Sequence, residues 1–177
     1  PVEETELDNI IKKPWGREYL AFRNEHVAIW VLEIRGGEAT SLHCHPRKNT
    51  ALIVLRGEVE LHFIRGAPRQ ITGLDKINIF RGRFHRTRAL TNATLLEVEA
   101  PDDKEDIVRL IDNYGRADNP IEGAEAEEPR DDSCLWFNMA PLNLLYADCR
   151  LRVITSKQNE ELLGMPESEI SVTLAGG

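Results

Sequence analysis

Between Val27 and Ala100 apolar and polar positions fall into short runs separated by Gly, Pro and Asp. VAIWVLEI (27–34) stops at the Gly36–Gly37 turn, TSLHCH (40–45) at Pro46, and TALIVL (50–55) at Arg56–Gly57. EVELHFI (58–64) runs into a turn around Gly66, and RQIT (69–72), KINIF (76–80), FHRTRAL (84–90) and ATLLEVEA (93–100) follow. Several runs have a period of two and are rich in β-branched and aromatic residues, the signature of half-buried strands. Closely spaced strands with no long helix between them predict an all-β, antiparallel sandwich or barrel.

The pattern changes after Pro101. DDKEDIVRLIDNYG predicts one short helix, with Asp102 as N-cap, Glu105 three residues on, apolar Ile107, Val108, Leu110 and Ile111, and Gly115 as the stop. Residues 117–132 hold seven acids, two prolines and one glycine, the composition of a solvated linker. Hydrophobic order returns in CLWFNM, CRLRVIT, a helical turn at NEELLG, and EISVTLA. The chain therefore divides into a barrel over 1–100, a helix and acidic linker over 101–133, and an extension over 134–177. That extension packs on the barrel, packs on a partner subunit, or begins a second, truncated half. Exposed strand edges and a strand-bearing tail also predict a homodimer, in which pairing or swapping covers them.

Composition narrows the classes. With 177 residues, 41% hydrophobic and 29% charged, the chain is an ordinary globular protein of one domain plus an appendage. Its longest apolar stretches are strand-sized, so no membrane-spanning helix is expected. The acidic start, PVEETELDN, lacks the basic and apolar regions of a signal peptide. Three cysteines without a CxxC pair predict no disulfide framework and a cytoplasmic setting. A net charge of −8 argues against general nucleic-acid binding but leaves room for a local basic pocket.

The candidate chemistry lies in histidines. His43 and His45 stand at i and i+2 on one run, so both imidazoles share a face and can reach one ion. His85 follows the Gly82 turn, and antiparallel pairing of its strand beside the first supplies a third imidazole. Three neutral imidazoles with open positions suit Zn²⁺, Fe²⁺, Ni²⁺ or Mn²⁺, one divalent ion in all. Cys44, between the two ligands, faces the other way by strand parity. His26 and His62 lack such spacing and read as structural.

The stretch Gly37-EATSL-His43-Cys44-His45-PRKN-Thr50-ALIVLR-Gly57 resembles the first cupin motif, G-x5-H-x-H-x3-4-E-x6-G. Leu74-DKINI-Phe80-Arg81-Gly82-RF-His85-RTR-Ala89 resembles the second, G-x5-P-x-G-x2-H-x3-N, keeping Gly82 and His85. The likeness covers roughly residues 12–100 and implies a double-stranded β-helix, or jelly-roll barrel. It also implies a metal set of three histidines and one glutamate, reduced here to His43, His45 and His85 because Thr50 stands at the glutamate's position. Thr50 can hydrogen-bond a metal-bound water or a substrate hydroxyl. In arrangement, Lys13-Pro14-Trp15-Gly16-Arg17-Glu18, the HxH pair and IVLRGEVEL are similar to the mannose-6-phosphate-isomerase type of cupin and its small relatives in sugar and nucleotide-sugar metabolism. The first of these stretches also reads as a Trp-capped entry to the first strand.

Cationic residues crowd the histidines: Arg47 and Lys48 after His45, and Arg81, Arg83, Arg86 and Arg88 around His85. Guanidinium forks suit phosphate or carboxylate, so Arg47, Lys48, Arg81 and Arg83 are the candidate substrate anchors, while Arg86 and Arg88 face away. The same residues can equally guard a solvated strand edge. Three functions follow. One is a metal-dependent isomerase or epimerase of a phosphorylated or nucleotide-linked sugar, for which Glu60 and Thr50 are the catalytic candidates and Glu58, Glu97 and Glu99 qualify only by pattern. The second is a three-histidine iron dioxygenase of a small thiol or carboxylate. The third is a non-catalytic ligand-binding module.

Overall fold

The computed structural model describes residues 9–103, 105–111, 113, 126–129, 131–137, 142–153 and 172. Fourteen strands follow one another in these residues. They are β1 (Asn9–Lys13), β2 (Gly16–Arg23), β3 (Ala28–Ile34), β4 (Leu42–Cys44), β5 (Asn49–Arg56), β6 (Val59–Phe63) and β7 (Arg69–Ile71). Then come β8 (Lys76–Ile79), β9 (His85–Ala89), β10 (Ala93–Ala100), β11 (Val108–Ile111), β12 (Ala126–Pro129), β13 (Leu142–Tyr146) and β14 (Cys149–Val153). A seven-stranded sheet in the order β12-β1-β2-β3-β10-β5-β8 faces a five-stranded sheet in the order β11-β4-β9-β6-β7, and β13 and β14 form a separate hairpin. Every strand pairing is antiparallel. The chain repeatedly crosses from one sheet to the other, so the molecule is an all-β jelly-roll barrel. Among the described residues no helix is long and apolar enough to cross a membrane.

Leu20, Trp30, Leu32, Val54 and Leu95 of the larger sheet meet Val59, Ile71 and Ala89 of the smaller one inside the barrel. The alternate residues Tyr19, Ile29, Val31, Ile53, Leu55 and Leu96 form a second cluster on the outer face with Leu135, Phe137 and Cys149. Burial on both faces explains why VAIWVLEI and TALIVL are nearly continuous hydrophobic runs instead of strict alternations. Each large apolar side chain so buried contributes about 1.5–3 kcal/mol. Polar contacts fasten the C-terminal segment as well. The Tyr19 and Tyr146 hydroxyls lie 2.7 Å apart, the Leu135 N–H donates to Tyr19 Oη at 3.0 Å, and the Phe137 N–H donates to the Ala21 carbonyl at 2.9 Å.

Gly57 is required by a close approach. Its φ is +84°, and a Cβ there would sit 2.4 Å from the Asn92 carbonyl oxygen.

The short helix expected after Pro101 is not formed. The expected N-cap, Asp102, instead pairs with Arg23. Asp103 binds the Arg47 guanidinium, and the Asp106 carboxylate accepts the backbone N–H groups of Arg47 and Lys48. Val108–Ile111 then extend along β4 as an edge strand. Apolar residues at 107, 108, 110 and 111 fit either period, and the open edge of β4 decided between them. The stretch anticipated as a solvated linker likewise contains a strand: β12 runs along β1, with Lys12 and Glu128 ion-paired. Pro129 stands at the end of this edge strand, where a missing N–H is tolerated. The anticipated Gly115 stop, the NEELLG turn and, apart from Val172, the EISVTLA run lie outside the described residues.

Candidate metal centre

Register builds the site. His43 on β4 stands directly opposite His85 on β9, and on either side of that pair stand Arg109 of β11 and Phe63 of β6. Opposed residues in antiparallel strands share a face, so Arg109, His43, His85 and Phe63 form one inward-facing rung. His45, just past the end of β4, returns to that face. Its carbonyl accepts the Gly82 N–H at 2.7 Å, and Gly82 adopts a φ of +74° that favours glycine. This contact ties the turn before His85 to the end of β4.

The three imidazoles are buried, and their ligand atoms lie within 4.8 Å of one another. The ring centroids are 4.5 Å (His43–His85), 4.9 Å (His43–His45) and 5.6 Å (His45–His85) apart. Each Nδ1 faces a backbone carbonyl: His43 that of Ser41 at 2.9 Å, His45 that of Asp106 at 2.6 Å, and His85 that of Arg83 at 3.0 Å. A carbonyl only accepts, so each Nδ1 donates, and in the neutral imidazole this leaves the Nε2 lone pair for a metal. Backbone orientation of the outer nitrogen is what a metal-ligating histidine requires, and the donor set fits a divalent ion.

A carboxylate pair approaches from the facing seven-stranded sheet. Glu99 on β10 lies directly opposite Thr50 on β5, and the ligand atoms of His45, Glu97 and Glu99 lie within 4.8 Å of one another. Lys48 Nζ sits 2.6 Å from Glu99 Oε1, and neither side chain is more than 1% exposed. Glu97 instead borders the cavity beside the histidines, together with Lys13, Glu18, His43, His85 and Arg109. The space open to water centres is ≈40 Å³, room for about three waters. Lys13 Nζ and Glu18 Oε1, both buried in this wall, are 3.2 Å apart.

The structure thus brings His43, His45 and His85 together, with Thr50 buried close by. Lys48 is inside, but paired with Glu99. The Arg47 side chain is exposed and held by Asp103, which raises the guanidinium pKa. Arg81 and Arg83 are exposed, and Arg83 stacks on the Phe63 ring at 3.9 Å. Neither they nor Arg47 border the cavity. Glu60 pairs in register with Arg88 and His62 with Arg86, one residue out of phase with the His85 rung, so all four point to the opposite face. Cys44 likewise turns outward and is buried, which pushes its thiol pKa up and weakens it as a nucleophile.

Among the charged residues of the cavity wall, the sequence does not single out Arg109, offers Glu97 only as a pattern match, and marks Lys13 and Glu18 only as members of the Lys13–Glu18 stretch. Glu97 and Glu99 carried a usable signal, two acids at alternate positions in an otherwise apolar strand. Arg109 had none while its segment read as a helix.

A two-sheet jelly roll with three buried imidazoles converging on its inner wall is the architecture of the cupins, and this chain has the cupin fold. No protein-family model matches the sequence, and no curated protein does. Solved structures match in fold. KdgF from Halomonas sp. is 17% identical with a TM-score of 0.51, over 56% of this chain and 93% of that one. An RmlC-like cupin from Shewanella frigidimarina is 18% identical with a TM-score of 0.51, over 56% and 89%. A variant of Bacillus subtilis oxalate decarboxylase OxdC is 15% identical with a TM-score of 0.53, over 58% of this chain and 30% of that one.

Proposed function

We propose that the protein is a metal-dependent isomerase or epimerase of a small anionic sugar derivative, phosphorylated or nucleotide-linked, held one molecule at a time in the barrel. The observation that carries this reading is Glu97, a carboxylate that borders the cavity next to the imidazoles. His43, His45 and His85 would hold one divalent ion of the Zn, Fe, Ni or Mn class. When bound, that ion polarises a carbonyl or hydroxyl oxygen of the substrate. Glu97 would accept a proton from the adjacent carbon and return it from the same side to a neighbouring carbon, whereas epimerisation would require a second acid on the opposite face. Of the nearby carboxylates Glu99 is paired with Lys48 and Glu18 with Lys13, and Glu97 borders the cavity.

The test is solvent exchange. Metal-loaded protein is incubated in D₂O with a panel of sugar phosphates and nucleotide sugars while carbon-bound hydrogen is followed by NMR. Exchange that disappears in Glu97→Gln while metal content stays unchanged is the expected result. No exchange and no conversion across the panel refutes the reading. A second reading, a three-histidine iron dioxygenase, is favoured by Thr50 at the position where the cupin motif has a carboxylate. Oxygen uptake by the Fe²⁺-loaded protein with small thiols or carboxylates would select it.

The same reading takes the protein to be a cytoplasmic homodimer. The exposed Val108, Leu110 and Ile111 of edge strand β11 support the pairing of subunits. A monomer in light scattering at micromolar concentration would remove that part.

A further inference from the structure

The inward face of β10 is apolar at Ala93 and Leu95 and then turns acidic at Glu97 and Glu99, both of which come to His45. We propose that Glu99 is the fourth protein ligand of the metal centre, a carboxylate supplied by β10 where Thr50 of β5 supplies none. This rests on the reading that His43, His45 and His85 hold a divalent ion, and it completes their donor set.

Register places Glu99 for this role. Thr50 and Glu99 are direct partners across β5 and β10, so they share the inward face with Cβ atoms about 5 Å apart. An acid at 99 therefore stands one strand spacing from position 50, at the same level of the barrel. Its ligand atom lies within 4.8 Å of that of His45, which in turn lies within 4.8 Å of those of His43 and His85. Donors about 2 Å from one ion stand roughly 3–4 Å apart, so only small side-chain movements separate this arrangement from a closed shell. Thr50 Oγ1, buried opposite Glu99, has no hydrogen-bond partner among the described residues, and a further ligand of the ion can satisfy it.

The surroundings orient Glu99 as they orient the imidazoles. Lys48 Nζ holds Glu99 Oε1 at 2.6 Å, and a ligating carboxylate is itself hydrogen-bonded from outside. Asp106 ties the two ligands together. Its carbonyl accepts from His45 Nδ1 at 2.6 Å, and its carboxylate accepts the Lys48 N–H at 2.7 Å. A buried ion pair is often no better for stability than apolar side chains of equal volume, so folding alone does not account for Lys48 and Glu99.

Zn²⁺ titration of chelator-stripped protein against a chromophoric chelator tests this, with infrared difference spectra taken on adding Zn²⁺. The variants are Lys48→Met/Glu99→Leu, which removes both charges so that neither is stranded, and Glu97→Gln. The double variant should bind Zn²⁺ at least about tenfold more weakly than the parent, since loss of even an outer-shell partner costs about 10–100-fold. The parent and Glu97→Gln should show a carboxylate band that shifts on Zn²⁺ binding, and the double variant should lack it. A structural ion pair would leave the parent without that shift. Absence of the shift in the parent, its persistence in the double variant, a smaller loss of affinity than stated, or a larger loss in Glu97→Gln would overturn the assignment. If Zn²⁺ binding depends on Glu99 while no panel compound exchanges deuterium, the fourth ligand stands and the isomerase reading fails. Exchange in the panel with unchanged affinity in the double variant does the reverse.

Discussion

Lys48→Met isolates the buried charge pair behind the site. Lys48 and Glu99 are 0% and 1% exposed and 2.6 Å apart, and Lys48 Nζ also reaches the Asp103 carbonyl at 3.3 Å. Replacing the lysine leaves Glu99 with no opposite charge at that contact, the case in which loss of one partner costs about 3–5 kcal/mol. For a chain of this size, about 2–4 °C per kcal/mol converts that loss into a fall of roughly 6–20 °C in Tm. Lys48→Met/Glu99→Leu removes both charges and keeps the volume filled, so its stability should return to within about 1 kcal/mol of the parent. Urea unfolding followed by circular dichroism, with chelator present so that metal binding does not contribute, gives the double-mutant cycle. A single variant that loses less than about 1 kcal/mol would refute the reasoning, as would a double variant that loses the sum of the two singles.

Asp106→Ala removes the acceptor of the Arg47 and Lys48 N–H groups, at 2.9 and 2.7 Å, and should cost about 2–4 kcal/mol in the same urea assay. Asp106→Asn, which keeps one acceptor oxygen, should lose less. Tyr19→Phe should cost about 1–2 kcal/mol through its contacts with Tyr146 and the Leu135 N–H. Burial, reinforced by Tyr146, raises the Tyr19 pKa, so its contribution is complete below the unfolded value near pH 10 and declines above it. The parent should therefore lose stability more steeply than Tyr19→Phe between about pH 9.5 and 11.5, with parallel curves contradicting this. His85→Ala should abolish near-stoichiometric metal on elemental analysis of protein purified without chelator, while the far-UV spectrum is retained.

Much of the barrel was legible in the sequence because a strand's side chains obey a local rule. The eight runs from Val27 to Ala100 became β3 to β10, since period two and punctuating glycines are properties of neighbouring residues. The HxH pair was readable for the same reason: i and i+2 share a face whatever the strand pairs with. Arg86 and Arg88 turned away from His85 as parity required.

What the tertiary structure decided concerns which strand lies beside which. Glu99 came to stand opposite Thr50, and Glu97 reached the cavity, only because β10 pairs with β5. Arg109 reached the rung of His43 and His85 because the free edge of β4 captured Val108–Ile111. Arg81 and Arg83, close to His85 in the chain, remained outside while Lys13, 72 positions before it, came in. Lateral pairing joins residues far apart in sequence, and its free energy comes from burying both faces of a sheet, a sum over the whole chain that no local window contains.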